Sequence, residues 1–280
     1  MAVLTRTPMA RRGFVMSGLI SGLTLATTRV EAQAIHTDAA GLDAGEIKIP
    51  VADGGMPAYY ARPQGSGPFP TVLVIEEIFG VHEYIKDVCR RLAKLGYLAV
   101  APELYAREGD LTQATATQAA SAIANRAPER QINSDLDAAA AWAGQNRGDP
   151  GRLGVTGFCR GGRLTWLYAA HSAVPKAAVA WYGPFSGATS AVQPLGPLDV
   201  VGKLNCPVLG LYGGKDPSTT PTQIAQAEAE AKAAGKTVVF VVYPDAMHGF
   251  HADYRPSYNA ADAKDGWARM LTWFRRYGVA

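Results

Sequence analysis

The feature that most limits how this chain can fold is the alternation of short apolar runs with longer segments of helical spacing. Six runs rich in Val, Ile and Leu have the length of strands, and amphipathic segments separate them. Strands that are apolar on both faces and alternate with helices are typical of a parallel sheet covered on both sides. We therefore predict an α/β fold with a mostly parallel central sheet and helices on both faces.

The individual elements follow from the positions of these runs. Strands are predicted at 71–76, 97–101, 152–156, 177–181, 208–212 and 237–243, with an antiparallel edge hairpin at 46–51 and 57–63. Helices are predicted at 82–95, 133–146, 161–171, 221–234 and 260–277, with a further surface helix at 114–127. Residues 63–70 are predicted to form a turn and 186–197 a loop, because strands of one sheet resume after each.

The first 34 residues have the pattern of an export signal. Arg11 and Arg12 precede an apolar stretch at 13–26, and Ala32-Gln33-Ala34 matches a small-x-small cleavage site. The paired arginines with Phe14 resemble a twin-arginine signal. We expect cleavage after Ala34, a periplasmic or secreted location, and a single α/β domain over 35–280. The alternatives are an uncleaved membrane anchor and a disordered tail.

The charge balance excludes one class of partner. Residues 1–34 hold four of the 27 basic residues and one of the 24 acidic ones, so the remaining chain has 23 of each and a formal net charge of zero. No segment beyond residue 34 clusters Lys and Arg as a nucleic-acid footprint requires. We expect no nucleic acid partner, no stable membrane insertion after cleavage, and a monomer.

The cysteines point to one position. Three scattered cysteines without a C-x-x-C pair form neither a disulfide framework nor a metal cluster. An odd count leaves at least one free thiol, which is a liability in an oxidising compartment unless it has a use. Cys89 lies on a predicted helix and Cys206 just before a strand, so both are predicted core residues, and Cys159 is left as the candidate.

Cys159 lies in the sequence Gly157-Phe158-Cys159-Arg160-Gly161, between the strand at 152–156 and a helix. This is the G-x-C-x-G pattern of a nucleophile elbow with sulfur in place of oxygen. Glycine is needed two places before and after the nucleophile because side chains there would collide. The helix that starts beneath the sulfur favours the thiolate. The alternative is a buried structural cysteine in a tight turn.

An acid and a histidine follow in the order that the α/β-hydrolase fold uses. Asp216 comes after the strand at 208–212, and His248 comes after the strand at 237–243. Alternatively, Asp216 caps the next helix and His248 is an ordinary loop residue. His251 is the rival base, since the other histidines lie beside the cleavage site or on predicted helices.

Several motifs in the same order resemble the dienelactone hydrolase family, the carboxymethylenebutenolidases, from about residue 46 to residue 277. They are Glu77-Ile78-Phe79-Gly80-Val81, Gly96-Tyr97, Pro102-Glu103-Leu104-Tyr105-Ala106-Arg107, the Cys159 elbow, the Asp216 loop and His248-Gly249-Phe250. The resemblance implies an α/β-hydrolase fold and hydrolysis of a small ester or lactone.

The resemblance also implies roles for individual residues. Cys159 would be the nucleophile, His248 the general base and Asp216 the residue that orients His248. The backbone N–H groups of Ile78 and Arg160 would form the oxyanion hole. Glu77 would hold the resting thiol and help to ionise it when substrate arrives, and a nearby carboxylate does raise the pKa of a thiol.

Substrate recognition departs from the family pattern. Arg107 stands where one of two carboxylate-binding arginines is expected, with Tyr105 in the same motif, but Ala252 occupies the second position. Arg255 is close enough to substitute, or it caps the last helix. Arg107 binds a substrate carboxylate or pairs at the surface with Glu108. The substrate is expected to be a small ester or lactone that can carry a carboxylate, and Ala252 argues against dienelactone itself.

The sequence thus predicts a carboxylic ester hydrolase with a cysteine nucleophile, and the resemblance implies neither a metal nor a cofactor. Two alternatives remain. One is a general carboxylesterase, and the other is a periplasmic protein that binds a small molecule on the same fold without catalysis.

Overall fold

The computed structural model describes residues 35–111, 117–185, 187 and 189–280. The export signal predicted for residues 1–34 lies outside the described residues. The strands are β1 (Leu42–Val51), β2 (Gly54–Pro63), β3 (Phe69–Ile75), β4 (Leu98–Pro102), β5 (Gly148–Phe158), β6 (Ala177–Trp181), β7 (Val208–Gly213) and β8 (Val238–Tyr243). The helices are α1 (Glu83–Lys94), α2 (Thr117–Ala124), α3 (Glu129–Gln145), α4 (Arg160–His171), α5 (Pro197–Val200), α6 (Pro221–Ala233) and α7 (Ala260–Arg276).

The eight strands form one sheet in the order β1-β2-β4-β3-β5-β6-β7-β8. β1 pairs with β2 and β2 with β4 in antiparallel register, and every other pair is parallel. This is the α/β-hydrolase architecture that the sequence predicts. Because the parallel strands point the same way, the loops after β3, β4, β5, β7 and β8 meet at one edge of the sheet.

The core lies on both faces of the sheet, as strands apolar on both faces require. α1 and α7 cover one face with residues such as Tyr84, Ile85 and Phe274. α3 and α4 cover the other with residues such as Leu136 and Trp166. Among the described residues, none of the helices combines the length and apolar character needed to cross a bilayer.

The structure differs from the predicted elements mainly at their ends and at one edge. The hairpin is longer than predicted, since β1 begins at Leu42 rather than at 46. β8 is the outer strand, so Val239 and Val242 are exposed instead of covered as the apolar run at 237–243 suggested. Of the helix predicted at 114–127, the described part is Thr117–Ala124. The loop predicted at 186–197 ends where the short helix α5 begins.

Candidate active site

Cys159 occupies a strained turn between β5 and α4. Its φ of 54° and ψ of −116° lie outside the regions that side chains other than glycine usually adopt. A Cβ on Gly157 would lie 2.3 Å from the carbonyl oxygen of Gly161, and one on Gly161 would lie 2.2 Å from the carbonyl oxygen of Ile75. The two glycines therefore let α4 start directly against β3, with the sulfur raised at the edge of the sheet.

The side chains that follow β7 and β8 meet the sulfur in one hydrogen-bonded line. His248 Nε2 lies 3.0 Å from Cys159 Sγ, and His248 Nδ1 lies 2.8 Å from Asp216 Oδ2. Cys159 is 9% exposed, so little of the residue is in contact with solvent. The Asp216 side chain is fully buried, which leaves His248 as the partner of its carboxylate on that side.

The groups around His248 favour the charged form of its imidazole. Burial alone would lower the pKa of His248, but the charge of Cys159 and the hydrogen bonds to Asp216 and Cys159 outweigh it and raise that pKa to about 10. A protonated imidazole at neutral pH can stabilise a thiolate beside it and can later release a proton to a leaving group.

The alternatives for Asp216 and His251 do not match their positions. Thr220, not Asp216, caps α6 through a hydrogen bond from the backbone N–H of Gln223, whereas Asp216 Oδ1 accepts from the N–H of Ser218. His251 is buried and bonds to the hydroxyl of Tyr84. Its pKa falls to about 3 because burial disfavours its charged form. His251 is therefore a core residue rather than a second base.

The resemblance assigns an oxyanion hole to the backbone N–H groups of Arg160 and Ile78. Arg160 is the first residue of α4, so its N–H has no acceptor inside the helix. Ile78 is in the loop that follows β3, the strand against which Gly161 packs. Both groups thus belong to the sheet edge that carries Cys159.

Glu77 does not hold the thiol in this structure, contrary to the sequence-based expectation. Its buried carboxylate pairs with Arg255 NH2 at 3.1 Å and accepts a hydrogen bond from the hydroxyl of Tyr254, while the sulfur bonds to His248. Burial alone would raise the pKa of Glu77, but Arg255, His82 and Tyr254 outweigh it and lower that pKa to about 2. Glu77 therefore stays ionised because it neutralises Arg255.

Arg255 and Arg107 are both occupied by carboxylates of the protein. Arg255 pairs with Glu77 and does not cap α7, whose cap is Asn259. Arg107 Nε lies 2.6 Å from Asp53 Oδ2, and Arg107 NH1 lies 2.6 Å from Asp135 Oδ2. Arg107 thus pairs with Asp53 and Asp135 and not with Glu108, and its guanidinium does not face an open pocket. The structure does not support Arg107 as a ligand for a substrate carboxylate.

Tyr105 lies within electrostatic range of Cys159. Its side chain is fully buried. Burial raises the pKa of Tyr105, Arg160 opposes that rise, and the charge of Cys159 adds to it. The phenol is therefore within electrostatic range of both Arg160 and the sulfur.

Sequence reasoning missed a pair of carboxyl groups behind this edge. Glu76 Oε1 accepts from the N–H of Leu104, and Glu103 Oε1 accepts from the N–H of Val81. Burial and the charge of Glu103 raise the pKa of Glu76 well above its usual range. The pair ties the loop after β3 to the end of β4. The two adjacent acidic residues at 76 and 77 could have indicated this pair in the sequence.

The other cysteines are core residues, as predicted. Cys89 is fully buried in α1 and Cys206 lies buried before β7, and burial raises the pKa of each thiol, that of Cys206 to about 12. Within the described part of the chain, no group of three or more His, Cys, Asp and Glu side chains is arranged to hold a metal ion.

Comparison with known proteins places this geometry in context. Residues 56–278 match the model of the Dienelactone hydrolase family. A Methylorubrum extorquens protein named "Putative carboxymethylenebutenolidase" is 56% identical over 282 residues, which cover 100% of this chain and 97% of that protein. An Escherichia coli K12 protein of the same name is 50% identical over 260 residues, 92% of this chain and 96% of that protein.

A solved structure agrees with the sequence relatives. The crystal structure of a "Putative Dienelactone Hydrolase" from Klebsiella pneumoniae superposes with a TM-score of 0.82 at 51% identity. It covers 84% of this chain and 99% of the Klebsiella chain. The similarity thus extends over nearly the whole of the Klebsiella chain rather than over a shared fragment.

Proposed function

This chain belongs to the dienelactone hydrolase family and is a hydrolase with that family's fold, and from this premise we propose that it opens small esters or lactones by acyl transfer to Cys159. The observation that carries the proposal is the line from Cys159 Sγ through both ring nitrogens of His248 to Asp216, with contacts of 3.0 and 2.8 Å. Nucleophile, base and orienting acid in hydrogen-bond reach are the arrangement that nucleophilic catalysis needs.

The first half of the reaction forms an acyl-enzyme. The Cys159 thiolate attacks the carbonyl carbon, and the electron pair of the C=O bond moves to oxygen. The N–H groups of Ile78 and Arg160 donate to this oxyanion. When the C=O bond re-forms, the bond to the alcohol oxygen breaks, and the imidazolium of His248 gives its proton to that oxygen. In a lactone the alcohol remains attached to the acyl group.

The second half releases the acid. The now neutral His248 takes a proton from water, and the resulting hydroxide attacks the thioester carbon. Collapse of the second oxyanion breaks the carbon–sulfur bond and restores the thiolate beside the imidazolium. Asp216 holds the Nδ1–H of His248 throughout, so that Nε2 faces the sulfur and the water.

The decisive experiment is hydrolysis of an activated aryl ester and of a carboxylated lactone by the purified protein and by Cys159→Ala. We expect Cys159→Ala to lose turnover of both substrates, and Cys206→Ala, the matched control, to retain it. Turnover that survives Cys159→Ala would refute the cysteine mechanism. Intact protein that binds but does not turn over either substrate would favour the non-catalytic binder, and turnover restricted to simple esters would favour a general carboxylesterase.

We also propose that the protein is exported, from the paired arginines and cleavage pattern of residues 11–34. Fractionation of cells that express the full chain, beside a variant with Arg11→Lys and Arg12→Lys, tests this. We expect the shortened protein in the periplasm for the natural sequence and full-length protein in the cytoplasm for the variant. Cytoplasmic full-length protein in both cases would contradict export.

A further inference from the structure

We propose that the amino group created at Ile35 by removal of residues 1–34 binds the buried carboxylate of Asp253. The proposal rests on the proposed export and is independent of hydrolysis at Cys159. A signal peptidase would use water to hydrolyse the Ala34–Ile35 peptide bond, which leaves a carboxylate on Ala34 and an ammonium group on Ile35. Asp253 is the receptor for that ammonium group.

The first described residues, 35–40, are held along α1. The N–H of Thr37 donates to Asp87 Oδ1, and the carbonyl oxygen of Thr37 accepts from Arg90 Nε at 2.6 Å. Two residues earlier, the nitrogen of Ile35 must lie within about 8 Å of the Thr37 nitrogen. The contacts of Thr37 therefore restrict where the amino group of Ile35 can be.

Asp253 is a buried acceptor at the position of this nitrogen. Its side chain is 2% exposed and accepts from Arg91 NH2 at 2.5 Å. The backbone N–H of Ile35 donates to the same carboxylate. Burial raises the pKa of Asp253, and Arg91 and the N–H of Ile35 oppose that rise. An ammonium group on Ile35 would keep this hydrogen bond, bring two more N–H donors and add a full positive charge.

The buried charges beside Ile35 lack one positive charge. Three carboxylates meet two guanidinium groups there, those of Glu83, Asp87 and Asp253 and those of Arg90 and Arg91. His36, which also contacts Glu83, is 69% exposed and is counted as neutral. A buried carboxylate is destabilising unless a positive charge compensates it. An α-amino group has an ordinary pKa of about 8, so at neutral pH it supplies the missing charge.

Asp253 belongs to the loop that holds Glu77 and follows His248. The next two residues, Tyr254 and Arg255, both donate to the Glu77 carboxylate. The backbone N–H of Arg255 donates to the carbonyl oxygen of Ala252 at 2.9 Å, so the loop is a compact turn around Asp253. An ion pair between Ile35 and Asp253 therefore stabilises this loop in the cleaved chain. A chain that keeps its leader has an amide at Ile35 and lacks the pair.

The test is a cycle of four proteins. One chain starts at Ile35 and a longer one starts at Ala32, and each is made with the natural Asp253 and with Asp253→Asn. Fusion proteins that are cleaved without leftover residues give these exact starts. With Asp253, the three extra residues should lower the melting temperature by about 3–12 °C, the range for loss of a hydrogen bond to a charged group. With Asp253→Asn they should change it by less than about 2 °C, because the partner is already gone.

Asp38→Asn is the matched control. It removes a carboxylate from the same segment, but this carboxylate is exposed and pairs with Lys94. In that background the three extra residues should lower the melting temperature as much as in the natural sequence.

The reactivity of the amino group is a second readout that needs no substitution. At pH 7 an acylating reagent should modify the amino group of Ile35 at least about tenfold more slowly than that of a chain starting at Ala32. The reason is that the ion pair raises the pKa of the amine, and a rise of about one unit lowers the free amine tenfold.

The outcomes separate this proposal from the others. If the extra residues lower the melting temperature equally with and without Asp253→Asn, their effect is steric and the proposal is overturned. Equal acylation rates would overturn it too, even if Asp253→Asn fails to fold. N-terminal sequencing of the periplasmic protein should begin at Ile35, and another first residue would also overturn it. None of these readouts depends on turnover by Cys159, and failure of export is read separately from the fractionation.

Discussion

Replacement of Gly161 by alanine should separate α4 from β3 and disable the nucleophile. The new Cβ would lie 2.2 Å from the carbonyl oxygen of Ile75 and 2.5 Å from that of Glu76. Both atoms belong to the backbone at the end of β3, so no flexible side chain can move aside. The helix itself has to shift.

The expected size of the effect follows from that contact. To restore normal separation the start of α4 must move by roughly 1 Å, and overpacking of this kind costs about 1–3 kcal/mol. The upper end applies because two backbone oxygens are involved, and about 1 kcal/mol is recovered because alanine favours a helix more than glycine does. We expect a net loss of about 2 kcal/mol in the free energy of unfolding, and a loss of activity approaching about 100-fold from misplacement of the sulfur.

Urea denaturation and kcat/KM for an activated ester measure both effects. Gly144→Ala, near the end of α3, is the matched control, because the nearest atom to its Cβ would be Pro150 Cβ at 3.8 Å. That variant should gain about 0.5–1 kcal/mol and keep full activity. If Gly161→Ala proves as stable and as active as Gly144→Ala, the glycines of the elbow are not required by close packing and the reasoning fails.

Three further predictions concern the charges around the sulfur. In Glu77→Gln, Arg255 loses its anionic partner and acts on Cys159 unopposed, so iodoacetamide should alkylate Cys159 faster at pH 7; an unchanged or slower rate would contradict this. Because Asp216 helps to raise the pKa of His248 to about 10, kcat/KM should fall near that pH, and in Asp216→Asn the fall should begin at lower pH; identical alkaline limbs would refute it. The pKa of Glu77 is lowered in the folded protein to about 2, from an ordinary 4.5. The ionised Glu77 therefore stabilises the fold fully above pH 4.5, and this stabilisation is lost as pH falls towards 2. It amounts to about 3 kcal/mol, and urea denaturation should show a flatter acid limb in Glu77→Gln.

The sequence was a good guide to the elements and to residues at strand ends. The apolar runs determine which segments pair, and the ends of parallel strands meet at one edge whatever the loops contain. The positions after three parallel strands were therefore enough to predict that Cys159, Asp216 and His248 lie close together. The elbow was predictable because local packing requires glycine at positions 157 and 161.

The ion pairs were not predictable, because each depends on a long-range partner that no local pattern announces. Arg107 finds Asp53 in the turn between β1 and β2, and Glu77 finds Arg255, 178 residues later. Before folding, an arginine beside a motif cannot be distinguished as a free ligand or a paired one.

The burial of Cys89 and Cys206 has a consequence for the repair of the protein after oxidative damage. Peroxide would first convert a reactive Cys159 to a sulfenic acid, which another thiol can rescue as a disulfide. The chain has only three cysteines, and burial keeps the other two protonated. No thiolate of the chain itself can therefore act as a resolving partner. Survival of the enzyme under peroxide would depend on small thiols from outside the chain, and without them the sulfur would be oxidised further to irreversible acids.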